Sequence, residues 1–294
     1  LLFNQTSLLQ YTSNPNFKFI YGDVRNEELL EKLCNESDVI IPLAAIVGFP
    51  ACKADPKLAW EVNFNQIQTI LDCLSDDQII LYPNTNSGYG LGKGQTECNE
   101  ESPLTPISVY GQTKCDAENF LRTATDAIIF RLATVFGVSP RMRLDLLVND
   151  FTYKSLVDGY LVLFEAHFKR NYIHVQDIAR TFQFVIENYD KCKGQAFNVG
   201  LSTANLSKLE LAEKIKEYVQ DLVIVENEFI GLINLPHKLA RIKTRLNVVG
   251  AMEVNVSSLG ILKCLNGAIF APHYLNNLAS NFHNVHTQFR QILT

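Results

Sequence analysis

Short apolar runs alternate with amphipathic segments through the first 230 residues of the chain. The apolar runs at 17–21, 38–42, 78–82, 127–132 and 196–199 have the length and composition of strands. The segments at 26–34, 56–74, 108–123, 144–158, 176–189 and 206–218 have a helical period. This alternation predicts an α/β fold, built on a doubly wound parallel sheet.

Residues typical of helix starts mark where three of these helices begin. Asn26 precedes the first helix as a cap, and Pro56 lies in the first turn of the second. Ser207, followed three residues later by Glu210, predicts a capping box at the start of the last helix.

Composition excludes several classes of protein. Hydrophobic residues make up 47% and charged residues 19% of the 294 residues, as in ordinary globular proteins. A net charge of -5 gives no indication of a nucleic-acid or anionic-membrane partner, and no apolar run has the length of a membrane span. The seven cysteines are widely spaced without a Cys-x-x-Cys pair, so we predict reduced thiols, no metal site and a cytoplasmic location.

Tyr110 and Lys114 are the strongest candidates for chemistry. Residues four apart on a helix share one face, so the ammonium can lie near the phenol. A phenol has a pKa of about 10, and a nearby cation favours the phenolate. Tyr110 is therefore a candidate proton acceptor, although such a pair also occurs on solvated helix faces.

Thr85 lies in a loop directly after the apolar run 78–82. Ligands of open α/β sheets bind at the carboxyl ends of the strands, so this position would present the Thr85 hydroxyl beside Tyr110. The alternative is that Asn84, Asn86 and Gly88 only build a turn.

With these residues in this order, the chain resembles the extended short-chain dehydrogenase/reductases that act on nucleotide sugars, the NAD-dependent epimerase/dehydratase family. The matching stretches begin at residues 21–25, 43–45 and 62–63, and include the Thr85 loop and Tyr110-Gly-Gln-Thr-Lys114. They continue at 130–137, 170–177 and 197–200, and the resemblance covers roughly residues 15–225.

The resemblance implies a Rossmann-like NAD-binding domain with a smaller C-terminal substrate lobe. The first would comprise residues 1–137 and about 171–200, and the second about 138–170 and 201–230. By the family's layout, the chain starts just after the second strand. We therefore expect an N-terminally truncated sheet, a fragment that lacks the glycine-rich phosphate turn and the acidic residue that binds ribose.

The resemblance also assigns roles to individual residues. Thr85, Tyr110 and Lys114 would be catalytic, with Tyr110 moving the proton, Lys114 lowering its pKa and Thr85 orienting the reacting oxygen. Tyr110 and Lys114 would also contact NAD, together with Asp23, Val24, Ala44, Ala45, Ile46 and Asn63. Arg170, Asn149 and Arg141 would contact the nucleotide-sugar substrate, with Arg143 as a further phosphate ligand. His174 and Asp177 would fix the junction between the lobes.

One difference from the family pattern favours a particular reaction. Family dehydratases carry Asp-Glu after the catalytic Thr, whereas this chain has Asn86 and Ser87, which are not general bases at neutral pH. Epimerisation needs no extra carboxylate. We therefore expect an NAD-dependent epimerase of the UDP-glucose 4-epimerase type.

Several alternatives stay open at this point. A nucleotide-sugar reductase or dehydrogenase, a non-catalytic binding relative and an inactive fragment fit the same residues. NADP is not excluded as the cofactor. Family relatives dimerise through the helices that correspond to 56–74 and 108–123, which implies a homodimer.

Residues 231–294 depart from the family pattern and contain one acidic residue, Glu253, of the 31 in the chain. Four of the six histidines also fall there, at 237, 273, 283 and 286. The tail is either a divergent helical lobe, with helices at 242–249 and 274–288, or the product of a shifted reading frame or a fusion.

Overall fold

The computed structural model describes residues 6–90, 98–139 and 142–227. Its strands are β1 (Val39–Ile40), β2 (Ile79–Thr85), β3 (Ile128–Leu132), β4 (Thr134–Phe136), β5 (Tyr160–Phe164), β6 (Lys169–His174), β7 (Ala196–Val199), β8 (Asn205–Ser207) and β9 (Val223–Asn227). Its α-helices are α1 (Thr6–Leu9), α2 (Glu27–Asn35), α3 (Phe49–Ala54), α4 (Pro56–Trp60), α5 (Gln66–Asp72), α6 (Val109–Ala124), α7 (Leu147–Val157), α8 (Val175–Glu187), α9 (Tyr189–Cys192) and α10 (Lys208–Lys216).

The largest sheet is parallel and has the order β1-β2-β3-β7. Asn84 of β2 pairs with Arg131 of β3, which pairs in turn with Asn198 of β7. The carboxyl ends of these strands therefore meet at one edge. The predicted parallel α/β fold is confirmed.

Side chains of the central strands alternate between two hydrophobic layers. Ile80, Tyr82 and Ile129 pack with α2, α5 and α6 on one face. Leu81, with Ile128 and Phe130 of β3, packs with α8 and α9 on the other. Helices cover both faces, as in doubly wound folds, so residues 79–82 of β2 and 128–130 of β3 are apolar on both faces.

A second group of elements follows β3. Strands β4, β6 and β8 form one sheet and β5 and β9 another. A separate core holds Phe151 of α7, Leu161 of β5 and Leu211 of α10. The proposed domain limits stay a prediction, and the atypical tail 231–294, with Cys264, lies outside the described residues.

The predicted strand at 17–21 is wrong. These residues form no strand in the structure, and Phe17, Phe19, Ile20 and Tyr21 are exposed. A strand exists only when a neighbour satisfies its backbone groups, and none of the described strands lies beside this run. The apolar composition of residues 17–21 suits a strand. Composition alone does not show whether a neighbouring strand is present to pair with it.

The predicted helix at 56–74 is divided into three parts. Between α4 and α5, residues Glu61–Asn65 form one π-helical turn. Such turns shift the side chains that follow relative to a regular helix. Strand β2 also differs from the prediction, since it continues through Pro83 to Thr85.

The predicted helix caps are confirmed. The Asn26 side chain accepts a hydrogen bond from the Leu29 N–H, and Pro56 lies in the first turn of α4. At α10, the Ser207 hydroxyl accepts from the Glu210 N–H, and the Glu210 carboxylate accepts from the Ser207 N–H. None of the described helices has the length and apolar character needed to cross a bilayer.

Replacing Ser207 with Ala removes the side-chain acceptor at the start of α10. We expect the free energy of unfolding to fall by about 1 kcal/mol, the usual cost of losing such a cap. Denaturant titration of both proteins measures it, and Ser202→Ala, at an exposed serine in the preceding turn, is the control. Equal losses in the two variants would contradict the role of the cap.

Candidate active site

Thr85 and Tyr110 come together at the carboxyl end of the parallel sheet. Thr85 is the last residue of β2, and Tyr110 lies in the first turn of α6. Ser108 caps this helix, since its hydroxyl accepts a hydrogen bond from the Gly111 N–H at 3.1 Å. The cap fixes the start of α6 and so the height of Tyr110 above the sheet.

The hydrogen bonds of the Thr85 hydroxyl are well defined. It donates to Ser87 Oγ at 3.0 Å and accepts from the Ser87 N–H at 3.2 Å, and it lies close enough to the Tyr110 phenol to act on the pKa of that group. Close packing holds the turn that follows, because a Cβ on Gly88 would lie 2.6 Å from Cys115 Sγ of α6. The structure therefore brings Thr85 beside Tyr110, as predicted.

Lys114 lies one turn after Tyr110 and is buried, with 4% of its surface exposed. Its Nζ lies 4.0 Å from the centroid of the Tyr82 ring, a cation–π geometry. Burial lowers the pKa of Lys114 to about 7, because the apolar surroundings disfavour the ammonium. The neutral amine is therefore far more populated at neutral pH than in an exposed lysine.

Burial acts on Tyr110 in the opposite direction. It raises the pKa of the phenol to about 12, while the Arg143 guanidinium and the hydrogen bond with Thr85 act to lower it. In both groups burial disfavours the charged form, which is the anion for Tyr110 and the cation for Lys114. The expected lowering of the Tyr110 pKa by Lys114 stays a prediction.

Arg143 was expected to bind a phosphate, and sequence reasoning missed its effect on Tyr110. Its guanidinium forms an ion pair with Asp145 at 2.5 Å and lies close enough to Tyr110 to lower the phenol pKa. The two residues are 33 positions apart, so no local pattern connects them. Arg143 is thus a second cation near the candidate base.

The loop after β1 contains Ala44, Ala45 and Ile46, the residues expected to line the middle of NAD. The Asn63 side chain accepts from the Ile46 N–H at 2.8 Å and donates to the Ile46 carbonyl at 3.1 Å. Gln66 Nε2 donates to the Ala44 carbonyl at 2.7 Å. Asn63 and Gln66 flank the end of the π-helical turn, which lets both reach the loop.

The Asn63 side chain lies in the interior of the fold. Its side chain is 99% buried and also donates to Thr113 Oγ1 at 3.1 Å. These bonds use its amide to join the loop to α6. Asn63 thus holds the loop 44–46 in place, and its contact with NAD stays a prediction.

Asp23 and Val24 lie in the turn before α2. Asp23 is exposed, and its carboxylate accepts hydrogen bonds from the backbone and guanidinium of Arg25. These bonds lower the pKa of Asp23 to about 2. Arg25 also pairs with Glu61 at 3.2 Å and so fastens this turn to the π-helical segment.

Asn149 was expected to contact substrate, but its side chain is buried within the fold. Its carbonyl oxygen accepts from the Gly137 N–H at 3.2 Å, and its Nδ2 donates to the Arg143 carbonyl at 3.0 Å. Asn149 thereby holds the backbone of Arg143, and with it the charge near Tyr110. Arg141 lies outside the described residues.

Arg170 lies on β6, paired with Leu206 of β8. Burial lowers the pKa of its guanidinium. Burial also lowers the pKa of Lys208, with the nearby Arg170 charge acting in the same direction and the Glu165 carboxylate in the opposite one. Two cations therefore lie close together at the start of α10. Such a pair suits an anionic ligand, which keeps the phosphate role of Arg170 as a prediction.

His174 and Asp177 were expected to fix the junction between the lobes. His174 caps α8, since its Nδ1 accepts from the Gln176 N–H at 3.2 Å, and its ring packs edge-on against Phe136. Asp177 pairs with Arg180 on the same helix at 3.0 Å. The position of His174 between β6 and α8 agrees with a structural role.

Cysteines of the described segments are reduced and mostly buried. Cys34, Cys52, Cys115 and Cys192 are buried, and Cys73 and Cys98 are partly buried. Burial raises the pKa of the Cys52 and Cys115 thiols, which keeps them as neutral apolar groups. Within the described residues, no three His, Cys, Asp or Glu side chains are arranged to hold a metal ion.

The burial of Lys114 predicts a dependence of stability on pH. From about pH 7 to 10 the unfolded chain binds a proton at this lysine that the folded chain does not, so the folded state gains stability as pH rises. Relative to Lys114→Met, the native protein should gain up to about 1.4 kcal/mol per pH unit over this window. Denaturant titration at several pH values measures it.

Lys57→Met, at a lysine whose side chain is 88% exposed, is the control for the loss of one lysine. A difference between the native protein and Lys114→Met that stays flat from pH 7 to 10 would contradict the burial of the amine.

The chain is similar to proteins of one known family. The model of the NAD dependent epimerase/dehydratase family matches residues 4–200. The low-salt glycan biosynthesis protein Agl12 of Haloferax volcanii is 29% identical over 225 residues, which are 74% of this chain and 70% of that protein. The UDP-glucose 4-epimerase of Lactobacillus helveticus is 24% identical over 229 residues, or 69% of each chain.

A solved structure shows the same fold. The UDP-glucuronic acid 4-epimerase from Bacillus cereus, in complex with UDP-glucuronic acid and NAD, superposes with a TM-score of 0.71 at 22% identity. The match covers 89% of this chain and 84% of that one. With a parallel sheet flanked by helices, and a family model that matches two thirds of its length, the chain belongs to the NAD-dependent epimerase/dehydratase family.

Proposed function

We propose that the chain is an NAD-dependent epimerase of a nucleotide sugar, of the UDP-glucose 4-epimerase type. The observation that carries the proposal is the cluster of Thr85, Tyr110 and Lys114, followed by Asn86 and Ser87 in place of carboxylates. In the cluster Tyr110 is the proton acceptor, Thr85 orients the reacting oxygen and Lys114 favours the phenolate. The two residues after Thr85 add no second base.

Residues at the carboxyl edge of the sheet fit the nicotinamide and ribose end of NAD. The buried Lys114 amine offers a donor at the floor of the site, and Ala45 and Ile46 offer an apolar wall after β1. Such a combination of apolar surface with a few fixed polar groups is typical of cofactor sites. Lys114, Tyr110 and the loop 44–46 would therefore hold this part of the cofactor.

When bound, NAD would supply the redox chemistry as the acceptor and donor of a hydride at a sugar carbon. Tyr110 accepts the proton of the hydroxyl group on that sugar carbon and later returns it to the same oxygen. Thr85 hydrogen-bonds the reacting oxygen and holds it beside the phenol. Lys114, in its charged form, favours the phenolate, and the Arg143 charge acts in the same direction.

The site favours epimerisation over dehydration. Ser87 is buried, and its hydroxyl and N–H are both engaged with Thr85 Oγ1. Expulsion of water from a sugar needs a further acid or base close to the reacting carbon, and neither Asn86 nor Ser87 titrates near neutral pH. The similarity to the UDP-glucose 4-epimerase of Lactobacillus helveticus supports the same choice.

A sugar nucleotide with a diphosphate would suit the cations of the second group of elements. Arg170 and Lys208 lie close together near the start of α10, and Arg143 lies near Tyr110. A guanidinium can bind two oxygens of one phosphate at the same time. A diphosphate bound at Arg170 would place the sugar between the phosphates and Tyr110. A homodimer and a cytoplasmic location stay predictions.

The reaction test uses the chain with NAD and UDP-galactose, and follows UDP-glucose by chromatography. We expect interconversion without net formation of NADH. Tyr110→Phe should lower kcat by at least about 100-fold, because the acid–base group is lost while the ring remains. Tyr11→Phe, at an exposed tyrosine, is the control.

Two outcomes would contradict this function. Stoichiometric NADH production would indicate a dehydrogenase, and release of a dehydrated sugar would indicate a dehydratase. Full activity in Tyr110→Phe would exclude Tyr110 as the acid–base group.

Asn63→Ala tests the loop 44–46 as part of the cofactor site. The substitution removes both hydrogen bonds to Ile46, so the loop loses its fixed position. We expect NAD to bind about tenfold more weakly, which a titration of the thermal midpoint with NAD would show. Asn65→Ala, at an exposed position of the same π-helical turn, should bind NAD like the native chain.

A further inference from the structure

A buried ion pair lies beneath the candidate active site. Glu118 of α6 is fully buried and Arg131 of β3 is 2% exposed. Arg131 donates from Nη2 to Glu118 Oε1 at 2.6 Å and from Nε to Oε1 and Oε2 at 3.2 and 3.3 Å. The catalytic scheme above uses neither residue.

The pair is connected to Thr85 through one side chain. Asn84 is 3% exposed, and its Nδ2 donates to Glu118 Oε2 at 2.5 Å. Its Oδ1 accepts from the Thr85 N–H at 2.7 Å. Because a carboxylate accepts and cannot donate, Glu118 fixes which end of the Asn84 amide faces it. The opposite end is thereby presented to Thr85.

Arg131 is held from the other side as well. Its Nη1 donates to the Tyr89 hydroxyl at 2.8 Å and to the Glu100 carbonyl at 2.9 Å. The Tyr89 hydroxyl donates in turn to Asn198 Oδ1 of β7 at 2.7 Å. Arg131 is therefore held by α6 and by the turn after β2, and through Tyr89 it is connected to the neighbouring strand β7.

The spacing along α6 gives this arrangement its significance. Tyr110, Lys114 and Glu118 follow one another at intervals of four residues, so the same helical stripe carries the candidate base and the carboxylate. Glu118 joins this stripe to β2, and β2 ends in Thr85. Together with the packing of Lys114 on the Tyr82 ring, this contact sets Thr85 and Tyr110, which come from different elements, relative to each other.

We propose that Glu118, Arg131 and Asn84 are positioning residues that hold the Thr85 backbone in register with Tyr110. This rests on the proposed function, in which Thr85 and Tyr110 share the substrate oxygen. Stability alone is a weak reason for the ion pair, since apolar residues of similar volume often stabilise a core equally well. The geometry of hydrogen bonds to a reacting oxygen is far less tolerant of displacement.

The first variant is Asn84→Ala, which leaves the ion pair in place and removes its connection to Thr85. In the full chain with NAD and UDP-galactose, we expect kcat to fall by at least about tenfold, with KM changed by less than about twofold. Arg122→Gln is the matched control, because Arg122 contacts the same carboxylate at 3.6 Å from the exposed side. Its kcat should equal that of the native chain.

The second variant replaces the pair itself, as Glu118→Leu with Arg131→Met. It should retain a melting midpoint within a few degrees of the native chain, because no charge is left buried alone. The positioning role predicts that kcat stays at least about tenfold low in this stable protein. A double variant as stable as the native chain and with the kcat of the native chain would overturn the proposal.

A measurement without turnover separates this proposal from the proposed function. In Asn84→Ala, exchange of the Thr85 backbone N–H should become at least about tenfold faster. The Ile129 N–H, bonded to the Gln195 carbonyl at 3.0 Å, should remain protected in both proteins. If the native chain turns over no sugar nucleotide, the proposed function fails and this exchange decides the positioning role. Unchanged exchange at Thr85 would overturn that role.

Discussion

The packing of α6 across the carboxyl half of β2 and β3 is the constraint on which the candidate site depends. It buries Glu118 against Arg131 and Asn84, and it buries Lys114 against the ring of Tyr82. A buried charge without a partner would be strongly unfavourable, so the ion pair permits only one depth and rotation of this helix. Tyr110 takes its place above Thr85 as a consequence.

Burial sets the electrostatics of the site as well as its geometry. Lys114 has its pKa lowered to about 7 and Tyr110 has its pKa raised to about 12, because neither charge is favoured in a dry environment. Arg131 matters here indirectly. By pairing with Glu118 it neutralises a carboxylate that lies one helical turn from Lys114 and would otherwise favour the ammonium.

The sequence predicted those features that depend on local patterns. Helical spacing placed Tyr110 and Lys114 on one stripe, and cap residues predicted the starts of α2 and α10. Features that depend on distant partners were not predictable in this way. Residues 17–21 have the composition of a strand but no described strand beside them, and the π-helical turn leaves no signal in the apolar period of 56–74.

The same distinction applies to two of the predicted site residues. Asn63 and Asn149 were expected at ligands because their positions match the family pattern, yet their amides are used on Ile46 and on Gly137 and Arg143. A motif shows that a position matters without showing what its side chain touches. Only the contacts distinguish an amide that binds a ligand from one that holds the backbone around it.

An epimerase requires a base that returns its proton as readily as it takes it. In the proposed epimerase, a phenol of very low pKa would be too weak a base to take the hydroxyl proton, whereas one whose pKa stays as high as about 12 is mostly protonated at neutral pH and would accept that proton slowly. In the proposed function two cations favour the phenolate. These are the charged form of Lys114 and the Arg143 guanidinium, which is itself paired with Asp145. The absence of acidic residues at positions 86 and 87 is therefore part of the same electrostatic arrangement, since a negative charge beside Thr85 would oppose formation of the phenolate.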